Sequence, residues 1–169
     1  VSLAYSVDTI ATWSLPTVPI SLWLNALVGG PLLAAITLYA AQWRALAGRF
    51  GLLLMTVPLI ALAANMVAYI VQGRLLNGVA NSVVAAADLV PHYHTMLLAF
   101  ALMCFAGCVL AAFTMHTVSR EAVAHGGGEL ALSKRVLVRL LVACLLVFAG
   151  IFVMRFAFYM MHLTVGLAV

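Results

Sequence analysis

Three side chains that could bind an ion or transfer a proton lie on one face of the last apolar segment of this sequence. Arg155, Tyr159 and His162 are spaced at i, i+4 and i+7, which places them along one side of an α-helix. A charged side chain inside an apolar run is costly unless it meets a partner or a water-filled cavity. The stripe is therefore a candidate site for a polar ligand or for contact with another subunit.

A second polar stripe has the same spacing in an earlier apolar segment. It consists of Asn65, Tyr69 and Gln72, and Asn25 adds another polar side chain in the first apolar segment. Two interpretations remain open. These groups bond one another and hold helices together, or they line a pocket or docking surface that opens toward one end of the bundle.

The cysteine and histidine patterns argue against a metal or redox centre within the chain. Cys104, Cys108 and Cys144 form no C-x-x-C motif and no cysteine-rich cluster. A haem held inside a membrane needs two facing histidines, and no two histidines lie deep in the apolar segments. We therefore expect no catalytic residue, no metal ligand and no bound cofactor in this chain.

The elements that carry these stripes are predicted to be transmembrane helices. Hydrophobic residues make up 67% of the chain and charged residues 7%, whereas a soluble domain has about 25% charged residues. The continuously apolar runs lack the alternation of barrel strands, so we predict an all-α membrane bundle. The four predicted helices cover residues 18–43, 51–73, 94–116 and 136–163.

The basic residues predict how these helices are oriented. Six of them lie in or beside the loops on one side, against Arg74 alone on the other. The six are Arg44, Arg49, Arg120, Lys134, Arg135 and Arg139. By the positive-inside rule, both ends of the chain face the periplasm of a bacterial inner membrane. The net charge of +4 is thus explained by topology, and no nucleic-acid partner is expected.

The segment between the second and third runs is predicted to form an amphipathic helix on the outer side. Apolar residues recur at intervals of three and four over residues 75–89, and Pro91 ends the pattern. Such a helix would lie at the membrane interface or under a partner protein. The candidate docking residues are Arg74, Leu76, Val83, Asp88 and His92.

The whole chain, residues 1–169, is expected to be one transmembrane domain and a fragment of a longer protein. It begins with Val1 instead of Met, and residues 1–7 are apolar like the end of a preceding helix. The alternative is a mature chain with a short ordered N-terminal tail.

Several motifs in order along the chain resemble one family of membrane subunits. The last fifteen residues, Arg155 to Val169, read R-x-x-F-Y-x-x-H-x-T-V-G-x-A-V, which is similar to the C-terminal ending of dimethyl sulfoxide reductase anchor subunits. The D-T-x-x-T-W pattern from Asp8 to Trp13 and the G-G-P-L-L pattern from Gly29 to Leu33 also resemble that family. So does the outer loop from Gln72 to Tyr93. The C-terminal ending is the most specific of these motifs.

This resemblance implies a respiratory function. The family's anchor has eight helices, and this chain is similar to helices five to eight. Such anchors hold an iron–sulfur subunit with four clusters and a molybdopterin catalytic subunit, and they oxidise menaquinol. The two polar stripes would then contact menaquinol or the iron–sulfur subunit. The anchor itself would be a non-catalytic subunit of an oxidoreductase complex.

Two alternatives share parts of this pattern. One is the anchor of a related polysulfide or nitrite reductase-type complex, which has the same plan with another terminal acceptor. The other is half of a membrane transporter, a class in which broken helices place polar residues at the midplane. The polar stripes here lie outward of the midplane, which favours the respiratory anchor.

Overall fold

Four long helices form from the four apolar runs in the computed structural model, which describes Ile10 and residues 12–80, 84–124 and 133–162. They are α1 (Thr17–Ala40), α2 (Arg49–Leu76), α4 (Tyr93–Ala124) and α5 (Lys134–Met160). A single turn, α3 (Ala86–Leu89), lies between α2 and α4. Each long helix is long and apolar enough to cross a membrane. The predicted all-α fold with four membrane-spanning helices is confirmed.

The surface of the bundle is apolar on every long helix. Trp23 of α1, Ile60 of α2, Phe105 of α4 and Phe152 of α5 are all more than half exposed. A soluble four-helix bundle turns one apolar stripe inward and keeps its outer faces polar. Here the outer faces are matched to lipid, so the polar side chains that the helices do carry are concentrated inside.

The helices close a ring in which each packs against two neighbours. α1 contacts α2 and α5, and α4 likewise contacts α2 and α5. We call the end where α1 and α4 finish and α2 and α5 begin the basic end, and the other end the opposite end. The basic end carries Arg44, Arg49, Arg120, Lys134, Arg135 and Arg139.

Two glycines allow α4 and α5 to approach closely. A Cβ atom on Gly107 would lie 2.6 Å from the carbonyl oxygen of Ala143, and one on Gly150 would lie 2.7 Å from Sγ of Cys104. Both distances are shorter than any normal contact, so only glycine fits at these positions. Small residues at helix crossings are a common means of packing in membranes.

The helix ends differ from the predicted ones where polarity and helix propensity disagree. α1 ends at Ala40, short of residue 43, because the chain turns at Gln42 with a positive φ of 54° and enters a short 3₁₀ turn, Arg44–Ala47. α4 continues to Ala124, beyond the predicted end at residue 116. Its last turns are polar but contain good helix formers, so the helix outlasts the apolar run.

The prediction of an amphipathic helix over residues 75–89 is wrong. α2 ends at Leu76, a turn follows at Asn77 and Gly78, and Ala80 pairs with Ala85 in an isolated bridge. Leu75 and Leu76 belong to α2 and Ala86–Leu89 form α3, and the described residues between them, 77–80, 84 and 85, are not helical. Asparagine and glycine favour turns and disfavour helix interiors, so they interrupt a segment whose apolar spacing suggests a helix.

Candidate functional site

A buried polar cluster occupies the half of the bundle toward the opposite end. It consists of Ser21 and Asn25 on α1, and Asn65, Tyr69 and Gln72 on α2. Asn65 is 0% exposed and Gln72 is 2% exposed. The stripe predicted on α2 therefore faces the interior, and α1 supplies a matching one.

The cluster is connected by hydrogen bonds between α1 and α2. Nδ2 of Asn65 donates to Oδ1 of Asn25 at 2.7 Å, and Nδ2 of Asn25 donates to the Tyr69 hydroxyl at 2.9 Å. One turn before Asn25 on α1, Oγ of Ser21 donates to the Val18 carbonyl at 2.9 Å. Asn65 thus donates to Asn25 and Asn25 donates to Tyr69, so the series of bonds crosses from α2 to α1 and back to α2.

α4 is tied to the same cluster through its first residue. The Tyr93 hydroxyl donates to the Tyr69 carbonyl at 2.7 Å. Gly73 makes room for this ring, because a Cβ there would lie 2.7 Å from Cε1 of Tyr93. The Tyr69 ring also stands edge-on to Phe100 of α4, with centroids 5.2 Å apart. Tyr69 is therefore held from both sides, by α1 and by α4.

Some buried polar atoms have no hydrogen-bond partner among the residues that the structure describes. They include Oδ1 of Asn65, Oε1 of Gln72 and Nε of Arg155. A buried polar atom left unpaired costs about 1–3 kcal/mol. Two open acceptors and one open donor therefore mark places where water or a polar ligand would be stabilised.

Arg155 of α5 supplies the positive charge in this half of the bundle. The residue is half-buried, and its guanidinium carbon lies 4.7 Å from the centroid of the Phe158 ring. Arg155 lies in the last turns of α5, in the same half of the bundle as the polar cluster. The cation is thus held over the aromatic face of Phe158. Its Nε has no hydrogen-bond partner among the described residues.

Tyr159 and His162 lie apart from this cluster. Tyr159 is 53% exposed, and α5 ends at Met160, so His162 lies beyond the helix. Trp13 stacks on Phe158 with centroids 4.9 Å apart and makes edge contacts with both Tyr159 and His162. Since Arg155 lies over the same Phe158 ring, the three predicted side chains of α5 meet around Phe158 and Trp13, with Tyr159 on the exposed side.

The segment before α1 is what organises that aromatic group. The Thr12 hydroxyl donates to the Met161 carbonyl, just past the end of α5. Trp13, next in sequence, can then lie across the rings at the end of the helix. The contact joins residues far apart in the sequence, which spacing within one helix does not reveal.

The predicted docking residues are placed in three different ways. Arg74, Asp88 and His92 are exposed at the opposite end. Leu76 is 3% exposed and belongs to the core. Val83 lies outside the described residues. Beside this surface a cavity of about 170 Å³ is lined by Gly73, Leu76, Asn77, Ala87, Val90, Pro91, Tyr93 and His94.

An apolar groove of about 370 Å³ lies between α2 and α4. It is lined by Leu59, Leu62, Ala63, Met66, Ala101, Leu102 and Phe105. Met66 follows Asn65 directly in the sequence, but no residue of the polar cluster lines the groove. α2 thus contributes residues both to the buried polar cluster and to the apolar groove.

Within the described residues, no three His, Cys, Asp or Glu side chains are arranged to hold a metal ion. Cys104, Cys108 and Cys144 are buried and free. The Cys104 thiol donates to the Val147 carbonyl at 3.5 Å, which is a packing contact between α4 and α5.

Sequence reasoning missed several residues of the site. Asn25 was identified, but Thr17 and Ser21, which share one face of α1 with it at four-residue intervals, were not, although the sequence shows this polar stripe inside an apolar helix. Tyr93 carries no such signal, because its role depends on the small residue opposite it on α2.

Comparison with known proteins places the chain among membrane anchors. The family model of the DMSO reductase anchor subunit (DmsC) matches residues 1–161. The chain is 32% identical over 164 residues to the C subunit of the anaerobic dimethyl sulfoxide reductase of Escherichia coli, covering 97% of this chain and 51% of that protein. It is 29% identical over 167 residues to the anaerobic dimethyl sulfoxide reductase protein YnfH of the same organism, covering 98% of this chain and 52% of that protein.

The chain therefore spans about half the length of these curated relatives. No solved structure matches it.

The hydrogen bond between Asn25 and Asn65 is expected to stabilise the pairing of α1 and α2. Bonds of this kind between membrane helices contribute about 0.6 kcal/mol on average and up to about 1.7 kcal/mol. We expect a coupling energy in this range from a double-mutant cycle of Asn25→Ala and Asn65→Ala, measured by unfolding in detergent. Thr56→Ala, at an exposed position of α2, is the control and should change little. Purely additive effects of the two core substitutions would contradict the geometry.

Proposed function

This chain belongs to the DMSO reductase anchor subunit family, and we propose that it anchors a DMSO reductase-type respiratory complex in the bacterial inner membrane and takes part in menaquinol oxidation. The proposed partners are an iron–sulfur subunit with four clusters and a molybdopterin catalytic subunit. The observation that carries the proposal is the buried polar cluster, with its open acceptors and the Arg155 charge on the side away from the basic end.

The charge distribution supports an orientation for the complex. The basic end faces the cytoplasm, so the opposite end and both ends of the chain face the periplasm. The exposed Arg74, Asp88 and His92 then form part of the surface on which the iron–sulfur subunit docks. This surface lies next to the polar cluster, which keeps the path for electrons from membrane to partner short.

The polar cluster suits the headgroup of a quinol. Oxidation of menaquinol releases two electrons and two protons and leaves menaquinone. The two quinol hydroxyls are hydrogen-bond donors, and the open acceptors Asn65 Oδ1 and Gln72 Oε1 are buried in the same half of the bundle. The positive charge of Arg155 favours a quinol oxygen that has given up its proton. The electrons pass to the iron–sulfur partner and the protons leave toward the periplasm.

The apolar groove between α2 and α4 suits the isoprenoid tail. Its lining is entirely apolar, it includes Met66, the residue after Asn65, and its Leu102 and Phe105 are more than half exposed. A tail in this groove would keep the headgroup near the polar cluster while the rest of the molecule stays in the membrane. The two features together match an amphiphile, whereas the substrate of a transporter would need a path to both sides.

Substitution of Arg155 tests the proposed role in quinol oxidation. In the assembled complex, Arg155→Leu is expected to slow the quinol-dependent reduction of the terminal acceptor by tenfold or more. A tenfold loss of rate corresponds to about 1.4 kcal/mol in the activation free energy. Activity with an artificial donor that bypasses the membrane should stay unchanged, and Arg155→Lys, which keeps the charge, should retain part of the quinol activity. Wild-type behaviour of Arg155→Leu in both assays would refute the role. Loss of both activities from the membrane would assign Arg155 to assembly instead.

Cysteine labelling tests the orientation and the docking surface together. The native cysteines are buried, so new ones at the exposed positions Asn77 and Ala124 should dominate the signal. With a membrane-impermeant maleimide, Asn77→Cys is expected to react from outside cells that lack the soluble subunits and to be protected once they assemble. Ala124→Cys should react only after permeabilisation. Labelling of Ala124→Cys in intact cells would reverse the orientation, and equal labelling of Asn77→Cys in both strains would place the docking surface elsewhere.

A further inference from the structure

Three cations and one apolar side chain surround a recess at the basic end. Lys134, Arg135, Val138 and Arg139 of α5 line a hollow of about 350 Å³ and are all exposed. This surface has no part in the proposed quinol oxidation. It lies at the far end of the bundle from the buried polar cluster.

The position of these cations is unfavourable for the helix that carries them. They lie in the first turns of α5, at the positive end of the helix dipole. The first turn contains no acidic residue, and Ser133 makes no capping bond through its side chain. Helix stability therefore does not account for the three charges, and a bound anion would interact favourably with both the charges and the dipole.

Few acidic groups in the described part of the chain could neutralise the recess. Its carboxylates are Asp88, at the opposite end, and Glu121 on α4. Arg44, Arg49 and Arg120 add further positive charge at the same end. At this end six described basic residues thus face one described carboxylate, Glu121, which leaves positive charge that an anion would neutralise.

The surface next to the recess shows what kind of anion fits. Val138 is 56% exposed. The same side of α5 continues, farther from the basic end, with the exposed side chains of Leu141, Val142 and Leu145. An apolar stripe thus begins where the cations end. A soluble phosphate would use the cations alone, whereas a phospholipid would use both features.

We propose that this recess binds an anionic phospholipid. The phosphate lies among Lys134, Arg135 and Arg139, and an acyl chain follows Val138 toward Leu145. Basic pockets at the cytoplasmic ends of transmembrane helices are suited to such headgroups. The inference rests on the membrane-spanning helices and is independent of quinol binding.

Lipid retention by the purified protein tests this site. The protein is reconstituted in nanodiscs of mixed phosphatidylglycerol and phosphatidylcholine, extracted into detergent and examined by native mass spectrometry. We expect retained phosphatidylglycerol on the wild type and a loss in Lys134→Gln/Arg135→Gln/Arg139→Gln. The expected weakening is about fivefold per residue, since each basic residue near an anionic surface contributes about 1 kcal/mol.

The matched control is Arg44→Gln/Arg49→Gln/Arg120→Gln, which removes the same charge from the same end and should retain the lipid. Equal losses in the two triple variants would overturn the proposal in favour of a diffuse charge effect. Displacement of the lipid by inorganic phosphate would overturn it in favour of a soluble ligand. Arg135→Lys/Arg139→Lys keeps the charge and should still bind, which guards against a loss caused by misfolding.

Discussion

A polar group inside a lipid-facing bundle must find its partner among the helices, and the hydrogen bond between Asn25 and Asn65 meets this constraint at the centre of the structure. It sets the register of α1 against α2. Asn25 in turn bonds Tyr69, and the Tyr69 carbonyl accepts from Tyr93, which brings in α4. Because lipid offers no competing partners, these few bonds align helices whose apolar surfaces alone would slide past one another.

The same constraint explains which parts of the fold could be predicted from the sequence. Continuous apolar runs predicted the four spans, and the spacing of Asn65, Tyr69 and Gln72 placed them on one inward face. Apolar spacing wrongly predicts a helix in the segment after α2, because the turn-forming residues Asn77 and Gly78 interrupt it. The contacts of Tyr159 and His162 depend on Trp13, which packs there from the segment before α1. The periodicity of a single helix does not predict contacts of this kind between distant segments.

The two ends of the bundle differ in a way that suits an anchor. One end concentrates buried hydrogen-bonding groups beside an exposed surface, as a site that passes protons and electrons outward requires. The other end carries six basic residues, three of which line a recess next to an apolar stripe. We therefore interpret the protein as held in one orientation by its basic end, with the proposed redox function confined to the half around Tyr69.

The central claim, that a quinol headgroup binds among the open acceptors of this half, is tested most directly by photocrosslinking. A photoreactive menaquinone analogue would be irradiated in the assembled complex and its adducts located by mass spectrometry. We expect adducts on α2 near Asn65 and Met66 and on α4 near Leu102. Both excess menaquinol and the substitution Asn65→Leu should suppress these adducts. Adducts that menaquinol suppresses but that lie entirely outside this protein would contradict the claim.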